Sequence, residues 1–306
     1  MRGAASNRCP YRDGSTGPKS RNAISALIPG TYQQAVCPPA ELLPQTERVK
    51  RTSAPSPSPP SESAAFSRHL VDVVAFARDS LAFVPDPDQT LALDPAIRRG
   101  LLNCCRQWGK STTVSVRAVH QAFHHPESLT IVASPSARQS AEFVRKASGF
   151  LRKLGILPRG DGDNPISLAL PNRARIVGLP GREATIRGFS NVALLLIDEA
   201  SRVPDDLYEA VRPMIAANPE AAIWLMSTPN GRQGFFHSEW SQGGAEWTRV
   251  ETPATECPRI RPEFLDEERR HLSDQKFRQE YLCEFVAADF AYFDPEAIDD
   301  AFKDPS

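Results

Sequence analysis

No apolar run in this 306-residue chain approaches the roughly 20 residues a membrane-spanning helix needs. The N-terminus has no apolar core of the kind a secretion signal carries. Six cysteines are present, but none forms a C-x-x-C pair or a Cys/His metal spacing. Two of them, Cys104 and Cys105, are adjacent, which suits neither a disulfide ladder nor zinc. An excess of one charge is missing too: 36 Lys and Arg face 37 Asp and Glu, for a net charge of −1. With no dense basic block, any contact with nucleic acid has to come from local arginines rather than a global field. The expectation is a soluble chain in a reducing cytoplasm, with one or two domains and a sizeable core.

The even balance hides an uneven distribution. Residues 1–64 carry eight basic and four acidic residues, 65–250 carry 21 and 18, and 251–306 carry seven and 15. Residues 1–64 also hold ten of the 28 prolines and end in Ser53-Ala54-Pro55-Ser56-Pro57-Ser58-Pro59-Pro60-Ser61. No helical or strand period survives there, and such a segment buries too little apolar surface to offset its ordering entropy, so it is expected to be disordered. From residue 65 to about 288 the texture is that of a folded domain, and 289–306 reads as a linker.

Within that domain, apolar spacing predicts a helix over Phe66–Phe83 and another over Leu91–Arg99, separated by a rigid Asp-Pro turn that carries Gln89. Further helices are predicted at Thr112–Phe123, Ser136–Leu154 and Asp205–Ala217. Strands are predicted at Leu129–Ala133, Arg173–Leu179, Ala193–Asp198 and Ala221–Met226. Strands alternating with helices imply an α/β fold, a mostly parallel sheet covered on both faces. Ligands of such folds bind beyond the carboxyl ends of the strands.

The most telling motif is Arg106-Gln107-Trp108-Gly109-Lys110-Ser111-Thr112, opening a predicted helix. Backbone N–H groups of such a loop, together with the helix N-terminus, cradle phosphate oxygens. Lys110 would reach the β- and γ-phosphates, and the Ser111 hydroxyl would sit on Mg²⁺. The glycine that usually stands five residues before Gly109 is here Cys104. The motif gains weight from Leu194-Leu195-Leu196-Ile197-Asp198-Glu199, a doubly buried strand ending in two acids 88 residues after Lys110. Asp198 would complete the Mg²⁺ shell and Glu199 would polarise an attacking water. His120, His124 and His125 fit the C-terminus of a helix better than a metal site. Lys146, Arg152, Lys153 and Arg159 are what an exposed helix and its flank carry in any case.

Taken in order, these elements resemble the ATPase domain of the large terminase subunit, the motor that moves DNA into tailed-phage and herpesvirus-like capsids. The resemblance covers roughly residues 66–300. It rests on Gln89 after the Asp-Pro turn, the Arg-Gln-x-Gly-Lys-Ser loop, Ile186-Arg187-Gly188, the Asp198-Glu199-Ala200 strand end, Ser227-Thr228-Pro229, Gly234-Phe235-Phe236 with Trp240, and Glu280-Tyr281-Leu282-Cys283-Glu284-Phe285. A loop that lacks its first glycine but carries Arg-Gln is typical of that family. The residue before Gln89, commonly aromatic there, is Asp88.

The resemblance implies a P-loop NTPase fold that uses ATP and Mg²⁺. Gln89 would read the adenine edge, Arg106 would lie against the γ-phosphate as an arginine finger in cis, and Ser227-Thr228-Pro229 would sense γ-phosphate loss. Arg187 would reach a neighbouring subunit's nucleotide, contact DNA, or anchor its loop. Implied partners are double-stranded DNA, a small terminase subunit, a capsid portal and further copies of the chain in a ring. The family's nuclease domain would begin after the stretch matching Phe285–Phe302; the acids Asp289, Asp294, Glu296, Asp299 and Asp300 read as linker, and no nuclease activity is expected here. The alternatives are a helicase-type translocase, which needs a second ATPase-like domain, and a non-catalytic remnant that binds nucleotide or DNA.

Overall fold

A computed structural model of the chain describes residues 62–179 and 188–287. The remainder of the predicted N-terminal tail, the 289–306 linker, the loop Pro180–Arg182 and Arg187 lie outside the described residues. Seven strands form one sheet in the order β3-β4-β2-β5-β6-β1-β7. They are β1 (Arg99–Cys104), β2 (Leu129–Ala133), β3 (Ser167–Ala169), β4 (Arg175–Leu179), β5 (Leu194–Asp198), β6 (Ala222–Ser227) and β7 (Thr248–Thr252). Every pairing is parallel except β3 with β4. The chain runs from β1 to β2 and later inserts β5 and β6 between them, so the carboxyl ends of β1, β5 and β6 meet at one edge.

The continuous apolar runs follow from burial on both faces. Successive residues alternate between two cores. Leu102, Val132, Leu196 and Trp224 join one, beneath α2 (Val73–Leu81), α4 (Lys110–His124) and α5 (Ala137–Lys153). Leu101, Ile131, Leu195 and Ile223 join the other, with α6 (Asp205–Val211) and α7 (Gly234–Ser241).

Helix limits depart from the sequence expectation where local polar chemistry intervenes. The Phe66–Phe83 helix is two helices, α1 (Glu62–Val71) and α2, because Asp72 leaves helical geometry and its carboxylate caps Ala75 N at 2.8 Å. The start of α1 at Glu62 also takes three residues from the segment expected to be disordered. The Leu91–Arg99 helix is displaced to α3 (Pro87–Leu93). Asp86 accepts from Gln89 N at 2.8 Å while the Gln89 side chain accepts from Asp86 N at 3.2 Å, a capping box with Pro87 in the first turn. Pro95 then bars continuation, and Arg99 opens β1 instead. Strand β4 begins at Arg175 because Arg173, at φ 67°, belongs to a turn. The Asp205–Ala217 helix ends at Val211 and tightens into a 3₁₀ turn over Arg212–Ile215, since Pro213 has no N–H to donate.

The base of the sheet below the site is clamped by one buried cation. Arg117 of α4 donates to the carbonyls of Ala92, Asp94 and Ile97 at 2.7–3.2 Å and lies 4.9 Å from the Trp224 ring centre. Burial lowers its guanidinium to about 10, still charged at neutral pH. Trp224 in turn requires Gly100 on the neighbouring strand, where a Cβ would overlap the indole.

Candidate nucleotide site

At the carboxyl edge of β1 the chain turns sharply. Gln107 (φ 62°) and Gly109 (φ 96°) both adopt left-handed backbone before α4 begins at Lys110. The loop is held by its surroundings: Cys105 N donates to Thr252 O, Arg106 N to Glu280 O, and the Gln89 amide to Trp108 O at 3.1 Å. It borders a cleft of about 520 Å³. Arg106, Gln107, Gly109, Lys110, Ser111 and Thr112 line one side, and Gln139 and Lys146 of α5 line another. Glu199, Arg202, Thr228, Lys276 and Glu280 close it. Five cations against two carboxylates at a helix N-terminus make a site for a polyanion.

Lys110 is buried, its ammonium held by the carbonyls of Cys104 (2.7 Å) and Cys105 (3.0 Å) at the root of the loop. The Ser111 hydroxyl donates to Asp198 Oδ2 at 2.8 Å, so the two residues expected to share a cation are in contact. Burial raises the Asp198 carboxyl, against the lowering effect of Ser111. A buried carboxylate with a raised proton affinity, beside a hydroxyl oxygen, is the hard donor set that suits Mg²⁺.

Glu199 follows in left-handed backbone (φ 55°), a conformation a non-glycine residue holds at some cost and one that collects at functional sites. Its carboxylate is partly exposed toward the cleft and accepts from Arg202 Nη1 at 3.1 Å. Thr228 also receives Arg202 Nη1 (3.2 Å) and donates to Glu280 Oε2 at 3.1 Å. Ser227 sits deeper, 2.7 Å from Ser201, which donates to the Thr228 carbonyl; Pro229 is buried behind.

Trp108 and Gln89 are both engaged within the protein itself. Trp108 is fully buried and its ring packs into the core, so only its backbone faces the loop. Gln89 is buried, and both ends of its amide are engaged, one by Asp86 and one by the Trp108 carbonyl. Its hydrogen bond to the Trp108 carbonyl fastens the 106–112 loop to α3. Asp88 accepts from Thr252 of β7 at 2.8 Å. Sequence reasoning also missed part of the site. Arg202 and Lys276 had no motif around them, Glu280 entered only within a longer matching stretch, and Lys146 was set aside although it lines the cleft.

A family model described as terminase large subunit, T4likevirus-type, N-terminal, matches residues 101–299. The chain belongs to this terminase family. The large terminase subunits of Thermus phage G20c and Thermus virus P23-45 are 25% and 24% identical to it over 219 and 218 residues, 60% of this chain in each case. This terminase chain spans 44% of the length of each of those relatives. Among solved structures it is similar to the large terminase ATPase domain of Thermus phage P74-26, with a TM-score of 0.60 and 22% identity over 68% of this chain and 97% of that one. It is also similar to the HK97 bacteriophage large terminase, with a TM-score of 0.59 and 17% identity over 70% and 54%. The terminase fold expected from the sequence is therefore the observed one, with Gly109, Lys110 and Ser111 at the carboxyl edge of its sheet. Among the described residues no helix is long and apolar enough to cross a membrane.

Proposed function

We propose that this terminase chain hydrolyses ATP with Mg²⁺ and couples the loss of the γ-phosphate to movement of double-stranded DNA during phage genome packaging. The observation that carries the reading is the Ser111–Asp198 contact in a cationic cleft at the start of α4. A large terminase from a thermophilic bacteriophage, similar to this chain at a TM-score of 0.54, has been solved in complex with ADP, which agrees with nucleotide as the ligand.

In this reading the loop N–H groups and the α4 N-terminus receive the phosphates, and Lys110 exchanges its loop carbonyls for phosphate oxygens. Ser111 and Asp198 would hold Mg²⁺, which would supply positive charge against the phosphates. Glu199 orients the attacking water, and Arg106, exposed at the cleft mouth, covers the γ-phosphate. Gln89 supports the loop and reads the base only if one end of its amide is released. Thr228 is the coupling residue that touches the site directly, with Ser227 and Pro229 behind it. Arg187, a small terminase subunit, a capsid portal and a ring of copies belong to the same reading as contacts of the working motor.

The test is Mg²⁺-dependent ATP hydrolysis by the full chain, with and without linear duplex DNA, beside Glu199→Gln. Turnover that Glu199→Gln cuts by about 10²–10⁴-fold is the expected result. A chain that fails to bind ATP, or whose turnover is indifferent to Glu199→Gln, would sink the reading.

A further inference from the structure

Glu280, near the end of α9 (Asp274–Tyr281), the helix that follows α8 (Pro262–His271), is the most heavily used carboxylate among the described residues of the cleft, and no phosphate chemistry requires it. It is only 4% exposed. Its carboxylate takes Arg202 Nη2 at 2.9 Å, Lys276 Nζ at 2.8 Å and the Thr228 hydroxyl at 3.1 Å, with Arg106 Nη1 at 4.0 Å. Its backbone carbonyl also receives Arg106 N at 3.0 Å. Burial pushes this carboxyl up, but Lys276, Arg202 and Arg106 outweigh it, so the group is held ionised.

Arg202 is the other half of the arrangement. It stands in the 3₁₀ turn Ala200–Arg202, three residues beyond Glu199, and presents Nη1 to Glu199 and Nη2 to Glu280. One planar guanidinium thus bridges the expected general base and a buried anion on a different element. The fork geometry of arginine fixes its two partners relative to each other, which a lysine ammonium does not do.

We propose that Arg202 and Glu280 are positioning residues that set the orientation of the Glu199 carboxylate from α9, in the chain Glu280 to Arg202 to Glu199. The inference rests on the reading of Glu199 as the residue that orients water. Neither residue need touch the reacting atoms. Displacement of a carboxylate by about 1 Å is enough to cost a large factor in rate. Because α9 also holds the Arg106 backbone and the Thr228 hydroxyl, a shift of this helix would reach the base, the loop arginine and the coupling threonine together.

The experiment measures kcat and KM for ATP of the full chain carrying Arg202→Gln, Arg202→Lys, Glu280→Gln and the double substitution Arg202→Gln/Glu280→Gln. Thermal unfolding is recorded for each, to separate lost positioning from lost fold. Glu280→Gln is expected to lower kcat about 10-fold and Arg202→Gln about 10²-fold, with KM within about twofold of wild type. The double variant should be no slower than Arg202→Gln alone, and Arg202→Lys should recover part of the loss. In single turnovers on a Glu199→Gln background, adding Arg202→Gln should change nothing further. Additive losses, a loss confined to KM, or wild-type kcat in Glu280→Gln would overturn the proposal while leaving the ATPase reading intact. Turnover indifferent to Glu199→Gln would overturn both.

Discussion

The two sides of the cleft are built in opposite ways. On one side, residues 104–112 form a wall from a single stretch of chain, and its restraints all end on main-chain carbonyls: Lys110 Nζ on those of Cys104 and Cys105, Cys105 N on that of Thr252 in β7, and the Gln89 amide on that of Trp108. On the other side, Glu199, Arg202, Thr228, Lys276 and Glu280 converge from three separate places, the ends of β5 and β6 and the helix α9, and the three places are joined by charged and hydroxyl side chains. Phosphate binding needs a preformed cradle, because donors already in place cost no reorganisation when the ligand arrives. The first wall is anchored on main-chain carbonyls, and the second is held by side chains that join three elements.

The comparison can be broken hardest at its foundation. Trp224→Ala should destabilise the chain by about 3–5 kcal/mol, because it leaves a hole between Gly100 and Arg117 under the fixed wall; denaturant unfolding would show it. Lys110→Ala should leave the fold standing and lower kcat/KM by about 10²–10³-fold, read with ATP as the varied substrate. A smaller effect is expected of Asp86→Ala, which removes the capping box beneath Gln89 and should cost about 1 kcal/mol in unfolding free energy.

The gentlest probe is pH. Burial lowers His120 and His124, on the far end of α4, from their ordinary value of 6.5 to about 4, with neighbouring histidines adding to the effect. Their folded-state affinity for protons is below that of the unfolded chain. The stability they allow is therefore complete above pH 6.5 and falls as pH drops from about 6.5 toward 4. The melting temperature should decline by about 3 °C or more across that window. His120→Gln/His124→Gln should flatten this part of the profile, and an unchanged profile would remove the histidines from the account.

How far each wall could be read in advance follows from how it is made. The phosphate loop, the doubly buried strands β2, β5 and β6 and the helix α5 were all visible as local patterns, since period, apolar run and loop chemistry lie within a few residues of one another. Strand β1 is not legible in the sequence because Arg99-Gly100-Leu101-Leu102-Asn103-Cys104 is short, carries a glycine and ends in a polar residue beside a cysteine, and only its pairing with β6 and β7 makes it a strand. Asp72 and Pro213 broke helices that apolar spacing alone had drawn through them, because spacing reports which face is buried and is blind to caps. The Trp108 ring is fully buried in the core directly after the left-handed turn at Gln107, a burial that its place in a loop motif does not announce.

Contiguous residues suffice for an α/β sheet, a Gly-Lys-Ser loop without the usual first glycine, the acids Asp198 and Glu199 at a strand end, and the resemblance to terminases, because each lies within a few neighbouring positions. Only the tertiary structure decided that Ser111 touches Asp198, that Gln89 is spent on the loop, and that Arg202 joins Glu199 to Glu280. Arg202 and Glu280 lie 78 residues apart, and a bond across that distance exists only once β5, β6 and α9 have packed around one cleft.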